Sequence, residues 1–332
     1  MIFVTGGTGL LGAQLLFDLA KSGKKIRALK RATSSLSTAN LVFSKNPSLL
    51  NNIEWVDGNV TDYFSLQEAM NGITEVYHCA AKVSFLPGDA QKMMVSNAEA
   101  TAHMVNLALE NGVEKFCFVS SVVALGRVEE EKMIDETVQW KASKHNSNYA
   151  ISKYSGEREV WRAMEEGLNA VIVNPTIILG IGDGKSSSSM MFGQMMKGFS
   201  FYSEGVNGFV DATDVSKCMI ELMEKKKFGQ RYIIVSENLT YHQVFDLIAD
   251  GLGKKRPYIR VSKTLSEISW RLEAIRCFIM HQNPLITKET AHSSQLRWFY
   301  SNEKIKKEIS IEFMPVKDSV ERITEILLTQ PS

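Results

Sequence analysis

Tyr149 and Lys153 stand four residues apart in Tyr-Ala-Ile-Ser-Lys. On a helix that spacing puts a phenol and an ammonium on one face. A free phenol, with a pKa of about 10, is a poor acid–base group near neutrality. An adjacent ammonium favours the phenolate and brings the group toward its working range. Ser121 lies 28 residues earlier, just past an apolar run. Its hydroxyl can hold a substrate oxygen while Tyr149 gives or takes the proton. Ser120 is the rival for that role. The Tyr-x-x-x-Lys spacing alone decides little, because Tyr300 and Lys304 repeat it. Position separates the two pairs. Tyr149 opens a predicted helix after a serine-bearing strand, whereas Tyr300 lies in the C-terminal tail.

A second chemistry sits at the start of the chain. Thr5, Gly6, Gly7, Thr8, Gly9, Leu10, Leu11 and Gly12 read TGGTGLLG, after a predicted strand and at the opening of a helix. Gly7, Gly9 and Gly12 fit the G-x-G-x-x-G dinucleotide fingerprint, and Gly6, Gly9 and Gly12 its variant. Glycines permit the tight turn and close backbone approach to pyrophosphate, and the helix start supplies free N–H donors. About 20 residues on, an NAD site usually offers a carboxylate to the ribose 2′-hydroxyl. Lys30 and Arg31 follow the second predicted strand instead, with no acidic residue between Ser22 and Asn52. A guanidinium pairs a 2′-phosphate that a carboxylate would repel. NADP(H) is therefore favoured, with NAD(H) as the alternative, and the nicotinamide would supply the hydride.

These groups need a scaffold. Strand-like runs at Ile2–Val4, Ile26–Leu29, Ile53–Val56, Glu75–Cys79, Lys115–Ser120 and Ala170–Asn174 alternate with amphipathic stretches. Short, mostly apolar strands of this kind are covered on both faces. The alternation predicts an α/β fold, a Rossmann-type doubly wound parallel sheet with a smaller C-terminal substrate lobe. Residues 1–175 are expected to form the dinucleotide-binding domain, with returning strands near 209–235. Residues 176–332 are expected to form mainly the lobe. Helices are predicted over Ser65–Met70, Leu239–Leu252, Leu265–His281 and Ser319–Leu328, and a strand over Tyr258–Val261. Ligands bind outside the carboxyl ends of such strands. Small, polar or turn-forming residues follow all six: the glycine loop, Arg31, Asn59 with Val60, Ala80 with Ala81, Ser120 with Ser121, and Asn174 with Pro175.

Composition narrows the rest. The chain has 332 residues, 44% hydrophobic, with 38 basic against 37 acidic side chains and a net charge of +1. Near-neutrality without a basic block argues against nucleic acid as a partner. No apolar run reaches the roughly 20 residues of a membrane span. The N-terminus shows no basic, apolar or cleavage pattern of a secretory signal. Cys79, Cys117, Cys218 and Cys277 are far apart, a spacing of neither a disulfide framework nor a zinc site. A cytoplasmic protein without a metal is the expectation. His78 is read as a support for the cofactor loop, and His242 and His281 as surface residues.

Taken together the sequence resembles the extended short-chain dehydrogenase/reductase family, the NAD(P)-dependent epimerase/dehydratase group. The segments that carry this are TGGTGLLG (5–12), DGNVTD (57–62), VYHCAA (76–81), NAEAT (97–101), FVSS (118–121), YAISK (149–153), NPTIILG (174–180) and FVDATDV (209–215). PLITKETA (284–291) and YSNEKIKKEISI (300–311) resemble the dihydroflavonol reductase-like and 3β-hydroxysteroid dehydrogenase-like branch. The resemblance implies Asn59 and Val60 at the adenine and Ala80 and Ala81 beside the cofactor backbone. It implies Lys153 on the nicotinamide ribose, and Ser121, Tyr149 and Lys153 as the catalytic set. Lys82, Ser120, Pro175, Thr176 and Ile177 complete the expected cofactor contacts. By analogy, helices near Asn97–Glu110 and Tyr149–Met164 would pack a homodimer. Three departures stand out: Asn59 where the family commonly has Asp, Asn174 where it commonly has Arg, and no Arg just before Gly208–Asp211. The last argues against a diphosphate-sugar substrate.

The residues expected at the substrate are apolar: Phe85, Val122, Met190 and Met191, with Phe192, Met195, Met196, Trp270, Phe278 and Ile279 as further candidates. Each of the further ones competes with a role in the lobe's own core. The leading expectation is an NADP(H)-dependent oxidoreductase acting on a ketone, an aldehyde or a secondary alcohol of a mainly apolar small molecule. The alternatives are an NAD-dependent nucleotide-sugar epimerase or dehydratase, and a non-catalytic NADP-binding sensor.

Overall fold

The computed structural model describes residues 1–126, 131–143, 146–184, 188–280, 284 and 287–329; the side chains of 87, 275 and 278–280 are outside that description. Seven parallel strands form the main sheet: β1 (Ile2–Thr5), β2 (Ile26–Lys30), β3 (Ile53–Asp57), β4 (Glu75–His78), β5 (Lys115–Val119), β6 (Ala170–Pro175) and, far along the chain, Gln230–Ile234. The small lobe contributes β7 (Ile177–Leu179), β8 (Val206–Asp211) and β10 (Glu237–Thr240), so Gln230–Ile234 is β9. The main order is β3-β2-β1-β4-β5-β6-β9. The sheet reverses direction of growth at β1, which places a crevice between the ends of β1 and β4, where doubly wound sheets take ligands.

Alternation along each strand splits the core. Ile2, Val4, Cys117, Val119, Val171 and Val173 face one side, packing on α1 (Leu10–Lys21) and the helix Ala212–Glu224. Phe3, Phe116, Phe118, Ala170 and Ile172 face the other, packing on α2 (Tyr63–Ala69), α3 (Ala100–Glu110) and α4 (Asn148–Glu165). This is the period of two expected of a sheet covered on both faces. The helix Ala212–Glu224 was not foreseen in the sequence. It follows α5 (Ser189–Met196) and is α6, and its Val215, Cys218, Met219 and Leu222 are buried against α1.

The lobe has its own core. β8 pairs parallel with β7 and antiparallel with β10. Leu179, Phe192, Met195 and Phe209 pack there with Val244 and Ile248 of α7 (Tyr241–Gly251) and Val320 and Ile323 near the chain's end. The helix expected over Leu239–Leu252 therefore begins two residues later. Leu239 is a strand residue paired to Asn207, and Thr240 with Gln243 forms a capping box that opens α7. Of the two returning strands expected near 209–235, β9 joins the main sheet and β8 belongs to the lobe. A helix α8 (Lys263–Met280) and a terminal helix α9 (Val316–Leu328) match their expected places, with α9 starting earlier than Ser319. The short strand Ile259–Arg260 pairs with Phe201–Tyr202. Among the described residues no helix is long and apolar enough to cross a membrane, and no group of three potential metal ligands occurs.

Candidate active site

The glycine loop joins β1 to α1 in the geometry its motif demands. Gly6 has φ of 74°, the left-handed region, and a Cβ there would lie 2.7 Å from the Ala80 nitrogen. A Cβ on Gly12 would lie 2.1 Å from the Gly6 carbonyl oxygen, so α1 seats on the loop only without one. Gly9 is the N-cap of α1 and offers no side chain to the free N–H groups. Thr5 and Gly7 are buried, Thr8 and Leu10 half-buried, and Leu10 touches Gly180 from the lobe side. Close backbone approach and an uncapped twelve-residue helix aimed at one crevice suit a pyrophosphate.

At the far end of this crevice the two basic residues part company. Lys30 forms an ion pair with Asp57, its register partner across β2 and β3. Arg31 is exposed, and among the described residues its guanidinium has no hydrogen bond or ion pair. Asn59 turns its amide oxygen to the Thr61 N–H at 3.2 Å, and Val60 is half-buried beside the second core face. Ala80 is half-buried and Ala81 exposed at the end of β4. Pro175 and Thr176 are buried at the end of β6, with the Thr176 hydroxyl on the Ile234 carbonyl at 3.2 Å, and Ile177 opens β7.

Ser121, Tyr149 and Lys153 meet at the end of β5. The phenol of Tyr149 lies near the Ser121 hydroxyl, whose oxygen accepts from the Val123 N–H. Burial pushes the phenol up to about 12, and the serine contact draws it back only in part. Lys153 is 2% exposed, donates to the Val119 carbonyl at 2.7 Å and lies 4.6 Å over the Phe118 ring. Burial brings its amine down to about 8, against the pull of the Glu157 charge. The Lys153 ammonium is held on the Val119 carbonyl. Ser120 is turned the other way: its hydroxyl donates to Glu157 Oε2 at 2.7 Å.

Two buried networks hold these groups, and the sequence signalled neither as a site. The Ala80 N–H donates to Thr5 Oγ1, which bonds His78 Nδ1 at 2.7 Å; His78 Nε2 meets Thr101 Oγ1, which donates to the Asn97 carbonyl. That order of donors gives His78 its proton on Nε2. Burial, helped by the Lys153 charge, holds the imidazole down to about 3, so it is neutral. Its expected support of the cofactor loop is this bridge from β1 to β4. Asn97 clamps Lys82 from both sides, accepting from its N–H at 2.7 Å and donating to its carbonyl at 2.9 Å, and also donates to Ser152 Oγ. It sits in a π-helical turn, Met94–Glu99, a bulge that redirects side chains. The second network centres on Glu157. Asn174 stands where the resemblance expects arginine, and the guanidinium that reaches this spot is Arg231 of β9.

Phe85 presents its edge to Tyr149, ring centroids 6.5 Å apart, from a loop pinned by Asp89 through Ser84 and Lys82. Phe85 and Met190 are exposed and Met191 half-buried. Val122 is buried beneath the site with Leu125, Ile134 and Ile233. Phe192 and Met195 belong to the lobe core, while Met196 is exposed. Trp270 lies on α8 with its indole on Glu267, and the side chains of Phe278 and Ile279 fall outside the described residues, as does His281. His242 is half-buried and stacks on Tyr202 at 3.7 Å. Tyr300, the chance match, is buried in the cluster that holds Val122, Leu125 and Ile233, and its backbone pairs with the Asn238 side chain.

Comparison with known proteins agrees with this architecture. A Synechocystis protein named as a dihydroflavonol 4-reductase is 28% identical over 331 residues, 96% of this chain and 92% of its own length. The sterol demethylase protein B of Methylococcus capsulatus is 28% identical over 271 residues, 80% of this chain and 78% of its own. The crystal structure of gox2253 superposes with a TM-score of 0.80 at 28% identity, covering 99% of this chain and 98% of that one. The model of the NAD dependent epimerase/dehydratase family matches residues 2–235. The chain belongs to the NAD dependent epimerase/dehydratase family, in the extended short-chain dehydrogenase/reductase group, and is an NAD(P)-dependent oxidoreductase of that type.

Proposed function

We propose that the chain uses NADP(H) to reduce a ketone or aldehyde on a mainly apolar small molecule, with Ser121, Tyr149 and Lys153 as its catalytic residues. The observation that carries this reading is the gathering of Ser121, Tyr149 and the buried Lys153 at the end of β5, with the phenol near the Ser121 hydroxyl and the ammonium on the Val119 carbonyl. The cofactor, when bound, supplies the hydride. Gly6 to Gly12 and the open start of α1 would hold its pyrophosphate, and Arg31 its 2′-phosphate. Lys30 is already committed to Asp57, whereas the Arg31 guanidinium has no ion pair among the described residues. Ser121 orients the substrate oxygen. Tyr149, its phenol raised by burial, releases its proton to that oxygen as negative charge develops on it. Lys153, one turn along the same helix, supplies the positive charge that favours the phenolate left behind.

The exposed Phe85 ring against Tyr149 suits a hydrophobic ring system, and the relatives' names point to flavonoid-like and sterol-like compounds. Four unpaired thiols suit a reducing cytoplasm. We also propose a homodimer through α3, the π-helical turn before it and α4, which form a shallow groove lined by Met94, Ala98 and Ala102 with Glu99, Ser155, Arg158 and Glu159. Light scattering at micromolar concentration tests this, and a monomer mass rejects it.

The decisive experiment follows NADPH absorbance with aldehydes, flavonoid-like ketones and 3-ketosteroids. Consumption with at least one class, and not with NADH, is expected. Purified protein that retains NAD and consumes neither free cofactor would overturn the reading in favour of epimerisation or dehydration.

A further inference from the structure

We propose that Glu157 is the positioning residue of this site, joining the serine-bearing end of β5 to the lysine-bearing helix, with Arg231 as its counter-charge. The inference rests on the Ser-Tyr-Lys reading above and adds the device that sets the lysine's charge.

Glu157 is 1% exposed. Its Oε2 accepts from Ser120 Oγ at 2.7 Å and Asn174 Nδ2 at 2.9 Å, and its Oε1 from Arg231 Nη1 at 3.1 Å and Trp161 Nε1 at 3.3 Å. Every contact of the carboxylate is with a donor. The four donors come from β5, β6, β9 and α4 itself, so one side chain ties three neighbouring strands to the catalytic helix. The same Asn174 amide donates to the Ser121 carbonyl at 3.0 Å. The backbone on both sides of the Ser120–Ser121 bond is thereby referred to Glu157, although neither Glu157 nor Asn174 touches the Ser121 hydroxyl.

Lys153 lies one helical turn before Glu157, on the same face. The groups around its ammonium are Glu157 on its own helix, His78 and Cys79 at the end of β4, and the Val119 carbonyl with the Phe118 ring from β5. His78 is neutral, and burial holds the Cys79 thiol up to about 12, so Glu157 is the negative charge in this set. Arg231 tempers it from the far side, while its other nitrogens donate to the Glu136 and Val138 carbonyls. Without Arg231 the carboxylate would act on Lys153 undiluted; without Glu157 the buried amine would lose its proton more easily.

The test uses opposite signs. Lys153 is titrated in the full chain by NMR of labelled lysine side chains, its signal assigned by its loss in Lys153→Met. Glu157→Gln is isosteric and removes the negative charge, so the Lys153 midpoint should fall by about one unit or more. Arg231→Met removes the positive charge, so the midpoint should rise. The alkaline limb of the kcat profile should move in the same two directions, and Glu157→Asp, which keeps the charge, should leave the midpoint near its original value. A structural role alone would lower the melting temperature in all three variants and move no midpoint. Midpoints that stay fixed, or move together, overturn the proposal. The titration needs no turnover, so a Tyr149→Phe enzyme that stays active would sink the catalytic reading while the midpoints still decide the role of Glu157.

Discussion

Tyr149 enters the reaction as a half-buried, protonated phenol near the Ser121 hydroxyl. Removing its hydroxyl alone, in Tyr149→Phe, should leave folding and NADPH binding intact. Turnover should fall by roughly 10²–10⁴, the usual contribution of a general acid. Circular dichroism, cofactor titration and NADPH oxidation measured on one preparation check this, and near-normal turnover would refute the assignment. Arg31 gives a second test. A charge-assisted contact with a 2′-phosphate contributes on the order of 1.5–3 kcal/mol. Arg31→Ala should weaken NADPH by about ten- to a hundredfold and leave NADH nearly unchanged, as read by fluorescence titration; equal losses for both would reject the 2′-phosphate role. At this scale the chain was legible where spacing carries meaning, as for Tyr149 with Lys153 and for the glycines. It was silent about Glu157 and Asn97. A glutamate one turn past a lysine on an amphipathic helix reads as a solvated surface charge. Nothing in sequence shows that strands β5, β6 and β9 bring three donors onto it.

At the scale of elements, the site depends on how α1 starts. Its N-cap is a glycine with no side-chain partner, and its third residue is Gly12, against the Gly6 carbonyl. Gly12→Ala places a methyl where only 2.1 Å is free, against backbone that cannot rotate away. The helix start must move off the loop, so cofactor affinity should fall at least tenfold and the melting temperature should drop by several degrees, as expected of a buried clash of about 1–3 kcal/mol. Retained affinity in isothermal titration would show that the helix start is not the pyrophosphate site. Elements with a strong period and clear ends were readable, as the six strands of the first half were. The helix expected from Leu239 starts two residues later because Leu239 and Thr240 are equally compatible with helix or strand. Their pairing to β8 decided it, which is a long-range fact. Helix α6 was missed for a related reason. FVDATDV reads as a strand followed by loop, and the apolar stripe of Val215, Cys218, Met219 and Leu222 acquires its meaning only against α1.

For the whole molecule, the crevice is also where stability becomes sensitive to pH. His78 is fully buried between β1 and α3 and is held neutral, its pKa brought down from 6.5 to about 3. The unfolded chain takes up that proton near pH 6.5 and the folded chain does not until about pH 3. Between those values the unfolded state binds more protons, so stability falls as pH falls. The stabilisation is complete above about 6.5 and is lost progressively on the way to 3. Each unit of that window is about 1.4 kcal/mol, so at pH 4.5 this one group should remove on the order of 2–3 kcal/mol. Because His78 bridges Thr5 to Thr101, protonation would also break the contact that fixes the glycine loop against β4. Cofactor affinity should therefore weaken over the same range. Urea unfolding at pH 7.5 and 4.5 measures the effect, with His78→Gln as the reference that keeps an amide in place and cannot titrate. The wild-type chain should lose more stability across that interval than the variant, and equal slopes would exclude His78 as the group that couples the fold to pH.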